Sequence, residues 1–406
     1  MTTVDGSLRP AARVLHSDDE AVAAAHELAA VWRELGPLRD QDRAVPRTEL
    51  ALLARSGLLA MTVPKRFGGP GLGTGTLTRV FAILSAADAA LAQVPQNHFG
   101  ALYGLDLEDD DDERKAFFLA EAIAGARFGN AGHERGKGGR SLPKTTIVDD
   151  GDGYRINGSK SFCTGALTAQ WVPVSAAHPD GWLATAILPQ GTPGLVILED
   201  WDAFGQRATV SGSAELTDSW VPSRYVFNQS GRRKPDTAFR YTRSQLTHAA
   251  IQLGIAEEVL ARADRLDTGT LAPAVAGRFR AWRDDLELEI AATAALVARA
   301  AALIDEVVAA GRATADSALG VGIAVDEAKC LAYDLGPAAT DGFVEFLDAG
   351  YTDAEPGFDR HWRNARTHSL HDPIRWRRHY VGDFHLNGTP PPFMKWLLES
   401  AGDAPL

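Results

Sequence analysis

Asp152–Ala176 reads DGYRINGSKSFCTGALTAQWVPVSA, Trp182–Pro189 reads WLATAILP, and Gly194–Pro222 reads GLVILEDWDAFGQRATVSGSAELTDSWVP. Val, Ile, Thr, Tyr and Trp recur in short runs cut by Asn-Gly, Pro-Asp-Gly and Gly-Thr-Pro, the composition of antiparallel strands and their turns. Alternation at Tyr154-Arg155-Ile156 and at Ala214-Glu215-Leu216-Thr217 predicts strands with one wet face. Asn157-Gly158 reads as a two-residue hairpin turn, because both residues tolerate positive φ. Phe162-Cys163-Thr164-Gly165 then closes the first hairpin. The sequence on both sides is helix-coded, so the fold class expected is α+β, a β module between helical halves.

Upstream of this module, Ser17-Asp18 is a helix start, and the helix is expected to reach about Leu35. A second helix runs from about Arg47 to Gly57. The Gly-rich stretch VPKRFGGPGLGTGT (Val63–Thr76) has no Gly-Lys-Ser/Thr ending and no strand before it, so it reads as a connector rather than a phosphate cradle. Leu77–Gln93 is apolar at helical spacing and is followed by VPQNHFGALYGL (Val94–Leu105). The acidic run Asp109–Glu113 favours the start of a helix reaching about Ala126.

Downstream, NQSGRRKPDT (Asn228–Thr237) is a polar linker. Apolar stripes then mark three long helices, through Leu246 to Leu260, Phe279 to Val308, and Val321 to Leu347. A shorter fourth covers about Asp359–Ser369, enough for a bundle. The expected divisions are residues 1–126, helical; 127–230, β; and 231–406, a helical bundle.

The chain has 406 residues, 45% of them apolar, ample for a sizeable core. Its 53 acidic and 41 basic side chains give a net charge of −12, which disfavours nucleic acid or an anionic membrane as partner. Cys163 and Cys330 are the only cysteines, which fits a reducing cytoplasm and provides no zinc spacing. The first residues lack an apolar leader and no window approaches a membrane span, so a soluble cytoplasmic protein is expected.

YRINGSKSFCTGALTA and WDAFGQRATVSGSAELTDSWVP resemble the β domain of the acyl-CoA dehydrogenase superfamily. RNARTHSLHDP (Arg363–Pro373) resembles the RN.RTH..H.P stretch of its flavin-dependent monooxygenase branch, typified by dibenzothiophene and sulfone monooxygenases. The resemblance extends from about Leu52 to about Gly388. It implies an N-terminal helical domain, a central antiparallel β-barrel and a C-terminal four-helix bundle. It also implies site residues. Phe162 would lie near the isoalloxazine, with the Thr164 hydroxyl at its N5/O4 edge. Asn130 and Trp201 would line the flavin or substrate pocket, and His371 would face the reactive edge with His368 nearby. His98 would be a pocket and catalytic histidine, Tyr103 its neighbour one turn on, and Arg265 a remnant of a cofactor-phosphate element.

The residues alone leave alternatives open. Thr164 also fits an ordinary turn, Cys163 a buried filler, Trp201 a core aromatic and His98 a satisfied core histidine. The basic loop of His133, Arg135, Lys137 and Arg140 reads as a solvated loop or as a lid over an anionic cofactor. His368 and His371 are three apart, on one face of a helix, but no Cys or carboxylate cluster supports a metal there.

The branch turns on Leu370–Ile374, LHDPI, where the dehydrogenases carry their catalytic Glu in an IYEGT-like stretch. Asp372 is one methylene shorter and is followed by Pro373, and FRYTR around Tyr241 holds no substitute Glu. The adenine-holding GG.G loop of FAD enzymes is replaced by DAGYTDAEPG (Asp348–Gly357), which favours FMN over FAD. What the resemblance implies is a homotetrameric monooxygenase using reduced FMN from a separate NAD(P)H–flavin reductase. With O₂ it would form a C4a-hydroperoxide and oxygenate a sulfur, nitrogen or carbon centre of a small substrate. Two alternatives remain at this stage: an acyl-CoA dehydrogenase using FAD and Asp372 as base, and a flavin-less relative acting as a binding protein.

Overall fold

The computed structural model describes residues 12–109, 112–136, 143–347 and 357–399. Helix α1 (Asp18–Asp42) starts where expected, with the Ser17 hydroxyl accepting from the Glu20 N–H. It runs beyond Leu35, through Pro37, and stops at Arg43 in the left-handed region. After α2 (Arg47–Arg55) come α3 (Thr74–Gln93), α4 (Gln96–Leu105) and α5 (Glu113–Ile123). Asp88 breaks α3 with φ −155°, ψ 100°, and its carboxylate caps the restarted turn by accepting from the N–H groups of Ala90 and Leu91. Its other oxygen pairs with the buried Arg39, which also holds Glu49, so one guanidinium ties α1, α2 and α3 together. Helix α3 is long and apolar enough to cross a membrane, but 78% of that stretch is buried inside this fold.

The β module is one seven-stranded sheet of order β5-β6-β2-β1-β3-β4-β7. Its strands are β1 (Thr146–Asp150), β2 (Gly153–Lys160), β3 (Trp171–Ala177), β4 (Leu183–Pro189), β5 (Leu195–Ile197), β6 (Ala214–Pro222) and β7 (Val226–Asn228). It differs from the expected antiparallel barrel in two respects. It is open, with β5 and β7 as edges, and β1 meets β3 in parallel at Thr146 and Ala177. The Asn157-Gly158 turn is also corrected. The first hairpin turns at Gly151-Asp152, and Asn157-Gly158 lies inside β2 at a register shift against β6. The Asn157 side chain there both accepts from the Asp218 N–H and donates to its carboxylate, so side-chain bonding replaces the interrupted ladder. Phe162–Gly165 follows β2 as a connection to β3, not as a hairpin closure.

The C-terminal helices are α6 (Lys234–Ala263), α7 (Pro273–Ala309), α8 (Ala315–Val344), α9 (Asp359–Ser369), α10 (Ile374–Asn387) and α11 (Pro392–Glu399). Helices α3 and α6 approach so closely that a Cβ on Gly254 would lie 2.2 Å from the Ala82 carbonyl. The N-terminal core therefore takes in Ile251 and Ile255 of α6 together with Trp171 and Phe227 of the sheet. Helix α9 reaches back to the sheet side, where a Cβ on Gly205 would strike the Arg363 carbonyl at 2.1 Å. These two close approaches bring α4, α6, the sheet and the α9–α10 turn around one cavity.

Candidate active site

That cavity has a volume of about 530 Å³. Helix α4 contributes Gln96, Asn97, Gly100, Ala101 and Gly104, and α6 contributes Arg240, Tyr241, Ser244, Gln245 and His248. Both sets follow an i, i+1, i+4, i+5, i+8 pattern, so each helix turns one face to the space. Small residues on α4 leave the room. A Cβ on Gly100 would meet nothing within 4 Å. The sheet side supplies Asn130, His133, Ser175 and Thr185, and the α9–α10 turn supplies His371.

His371 is exposed to this cavity and stacks on His248, ring centroids 4.2 Å apart and planes at 27°. His248 Nδ1 shares a 3.0 Å hydrogen bond with His368 Nε2. Burial, then the neighbouring histidines, keeps His248 and His368 well below the usual histidine pKa. Enclosure, reinforced by Lys329 and opposed by Asp372, lowers His371 to about 4. All three rings are neutral at pH 7, so the His371 ring at the cavity wall carries one N–H and one lone pair. Among the described residues no group of His, Cys, Asp and Glu is arranged to hold a metal.

Asp372 points elsewhere. Its carboxylate accepts from Lys329 Nζ at 2.9 Å and from Arg377 Nε at 2.6 Å. It lines a second cavity of about 400 Å³ among α6, α8, α10 and α11. Burial raises its pKa, but Lys329 and Arg377 outweigh that and hold it at about 2. A carboxylate bound by two cations is a poor proton acceptor, so the reading of Asp372 as a dehydrogenase base is overturned. Lys329, with no exposed side-chain surface, also donates to Gln245 Oε1 at 2.7 Å.

On the sheet side a chain of hydroxyls ends at Thr164. Thr209 Oγ1 donates to the Gln206 carbonyl (2.9 Å), and Ser211 Oγ donates to Thr209 (2.8 Å). With the Ser211 proton committed, the 2.7 Å bond between Thr164 and Ser211 takes its proton from Thr164. Thr164 is thereby left with an acceptor lone pair. Trp201 Nε1 donates to the same Gln206 carbonyl at 2.9 Å, and the Gln206 N–H donates to Asn364 Oδ1 at 2.6 Å. Gln206 and Val210 both have positive φ, 54° and 44°, a costly state for a β-branched residue. The Asn of RN.RTH thus anchors the strained loop that sets the hydroxyl chain. Asn130 Nδ2 donates to the Phe162 carbonyl at 3.2 Å. Phe162, at φ 56°, leaves its ring 45% exposed and edge-on to Trp201.

Among the residues expected from sequence, Asn130 and His371 line the cavity, and Phe162, Thr164 and Trp201 form a cluster joined to it through Asn130. Others are placed differently. His98 is fully buried, with Nε2 2.8 Å from the Leu59 carbonyl and Nδ1 accepting from the Phe128 N–H. Those two bonds assign its neutral tautomer, and burial lowers its pKa to about 4. It pins α4 to the connection between α2 and α3 and, through Phe128, to the sheet, and it does not reach the cavity. Tyr103 is 2% exposed beneath the Arg243 guanidinium, 3.8 Å from its ring, and burial pushes its pKa to about 12. His368 lies behind His248, away from the cavity wall. Arg265 is exposed at the far end of α6, loosely paired with Glu258 at 3.9 Å. Lys137, Arg140 and Asp348–Pro356 of the replaced loop lie outside the described residues. Sequence reading missed Arg240, Lys329, Gln206 and Asn364. The signals available were the small residues Gly100 and Gly104 four apart on α4, and Asn364 within the quoted motif.

The fold and these residues have parallels. Residues 20–126 match the family model for the acyl-CoA dehydrogenase N-terminal domain. "Probable FMNH2-dependent monooxygenase SfnC" of Pseudomonas putida is 30% identical over 385 residues, 91% of this chain and 96% of that one. Dibenzothiophene monooxygenase of Rhodococcus erythropolis is 30% identical over 400 residues, 92% and 95% of the two chains. The crystal structure of FMN-bound TdsC from Paenibacillus sp. A11-2 superposes with a TM-score of 0.83 at 27% identity, covering 92% of this chain and 99% of that one. The neutral histidine at the cavity, the cation-locked aspartate and this similarity along both chains agree: the protein belongs to the acyl-CoA dehydrogenase superfamily and is a flavin-dependent monooxygenase within it.

Proposed function

We propose that the enzyme takes reduced FMN from a separate NAD(P)H–flavin reductase and, with O₂, oxygenates a sulfur, nitrogen or carbon centre of a small molecule in the 530 Å³ cavity. The observation that carries this reading is the neutral His371 at a cavity wall that has no Asp or Glu among its described residues. Such a site has no carboxylate base for a carbon acid but does have a neutral histidine able to hydrogen-bond. The sheet-side cluster fits a reduced flavin. Phe162 and Trp201 offer aromatic surface, Asn130 an amide, and Thr164 an acceptor suited to the N5–H that only the reduced ring carries. The cofactor, when bound, supplies two electrons to O₂, so that one oxygen atom enters the substrate and the other leaves as water. The chain's own residues orient the ring (Asn130, Phe162, Thr164), hold a proton near the reacting oxygen (His371) and leave room for the substrate along the small-residue face of α4.

A homotetramer is part of this proposal. Helix α10 buries none of its residues within the chain and leaves Trp376 50% and Leu386 84% exposed, a surface suited to a second copy. Anaerobic calorimetry with reduced FMN, followed by ¹⁸O₂ turnover with a flavin reductase, tests the function. Tighter binding of FAD than of reduced FMN, or product without label, rejects it.

Two variants separate the parts. Thr164→Val keeps the shape and removes the acceptor, so affinity for reduced FMN should fall roughly tenfold while oxidised FMN changes little. Equal loss for both oxidation states would reduce Thr164 to a packing residue. Gly100→Leu should fold at least as well as the parent, since Gly in a helix costs roughly 0.5–1 kcal/mol relative to Ala. Its side chain would occupy the cavity, so substrate KM should rise at least about tenfold with FMN affinity intact. An unchanged KM would place the substrate elsewhere.

A further inference from the structure

Arg240 stands apart from the other arginines near the cavity. Arg232 pairs with Glu108, Arg243 with Asp106 and Arg377 with Asp326 and Asp372. Arg240 has no carboxylate within 4 Å among the described residues. Its Nη2 donates to the Gly100 carbonyl at a long 3.4 Å, its Tyr241 neighbour is a phenol, and its buried Nε has no partner. The missing side chain at Gly104 gives the guanidinium its place, since a Cβ there would lie 3.3 Å from Nε and Nη2. In a chain of net charge −12, a cavity lined by Arg232 and Arg240 but by no acid among its described residues is selective in sign. A guanidinium with no carboxylate partner and a buried Nε without an acceptor is costly, and an incoming anion with matching acceptors offsets that cost.

Position adds length. Arg240, Ser244 and His248 are successive i, i+4, i+8 residues on one face of α6, and His371 stacks on His248. Eight residues of helix rise about 12 Å. Ala101, Leu105, Ile187 and Phe227 also line the cavity and suit a hydrocarbon body. We propose that the substrate is an elongated organic anion, a carboxylate, sulfonate or phosphate ester, with its charged end on Arg240 and its oxidisable atom at His371, which stacks on His248 two helical turns further along α6. This rests on reading the cavity as the substrate site.

Calorimetry on the FMN-loaded protein, without turnover, tests it with octane-1-sulfonate and its neutral counterpart octan-1-ol. The parent should bind the sulfonate roughly tenfold or more tighter than the alcohol. Arg240→Gln should abolish that gap and Arg240→Lys should keep part of it, with FMN affinity unchanged in both. Equal binding of the two probes by the parent overturns the proposal. So does a loss of FMN affinity in Arg240→Gln with the sulfonate gap retained, which would assign the cation to the flavin phosphate. If Arg240→Gln fails to fold, the parent's gap and the Arg240→Lys variant still decide. Because no oxygenation is measured, a failed ¹⁸O₂ experiment and a failed probe experiment are distinguishable.

Discussion

Replacing His371 with alanine is expected to cut product formed per reduced FMN consumed by roughly a hundredfold, with a matching rise in released hydrogen peroxide. The expectation follows from where the ring sits. It is held by its stack on His248, and its neutral state is imposed by enclosure and by Lys329. A preorganised donor contributes on the order of 3 kcal/mol to a developing oxyanion. Losing it should leave the flavin reacting with O₂ and the oxygen released unproductively. His371→Gln retains a donor and should recover part of the coupling. Because the pKa of the ring is lowered to about 4, coupling in the parent should stay flat from about pH 8 down to pH 5. A His371→Ala enzyme that couples as well as its parent would remove the residue from the chemistry.

The second large effect is on stability. Asp372→Ala should lower stability by about 3 kcal/mol, because Lys329 then stays fully buried with Gln245 as its remaining acceptor in this network. The double variant Asp372→Ala, Lys329→Met should regain much of that loss, since an apolar side chain replaces the stranded charge. The sign of the pH dependence is fixed as well. The folded pKa of Asp372, about 2, lies below its ordinary 3.8. Its contribution is therefore fully present above about pH 4 and is lost as pH falls through about 2. Denaturant midpoints measured between pH 6 and pH 2.5 should converge for parent and Asp372→Ala at the acid end. If Asp372 were the base of a dehydrogenase, its loss would abolish turnover in a protein of unchanged midpoint. The two cations on its carboxylate argue for the opposite.

The α+β class, the first helix start at Ser17-Asp18 and the β character of Asp152–Pro222 were legible in the sequence, because capping residues, apolar periodicity and turn composition act within a few residues of the chain. By contrast, α6 begins at Lys234, inside the stretch that reads as a polar linker. The Ser17 cap and the i, i+4 stripes of α6 and α8 depend on nothing distant. The motif Arg363–Pro373 likewise pointed to the turn that carries His371 to one cavity and Asp372 to another. Which side chains reach the cavity was decided only by packing. His98 and Asn97 are adjacent, yet one bonds a carbonyl 39 residues away while the other lines the space. Their helix has two faces, and the residues packing against each come from elsewhere in the chain. The open sheet and the bulge at Asn157-Gly158 arise the same way, since a turn signal gives way when a partner strand offers Asp218 to the same side chain. Arg240 carried no local mark at all. Its meaning comes from the acids that other arginines found and it did not, a property of the assembled surroundings that no window of sequence contains.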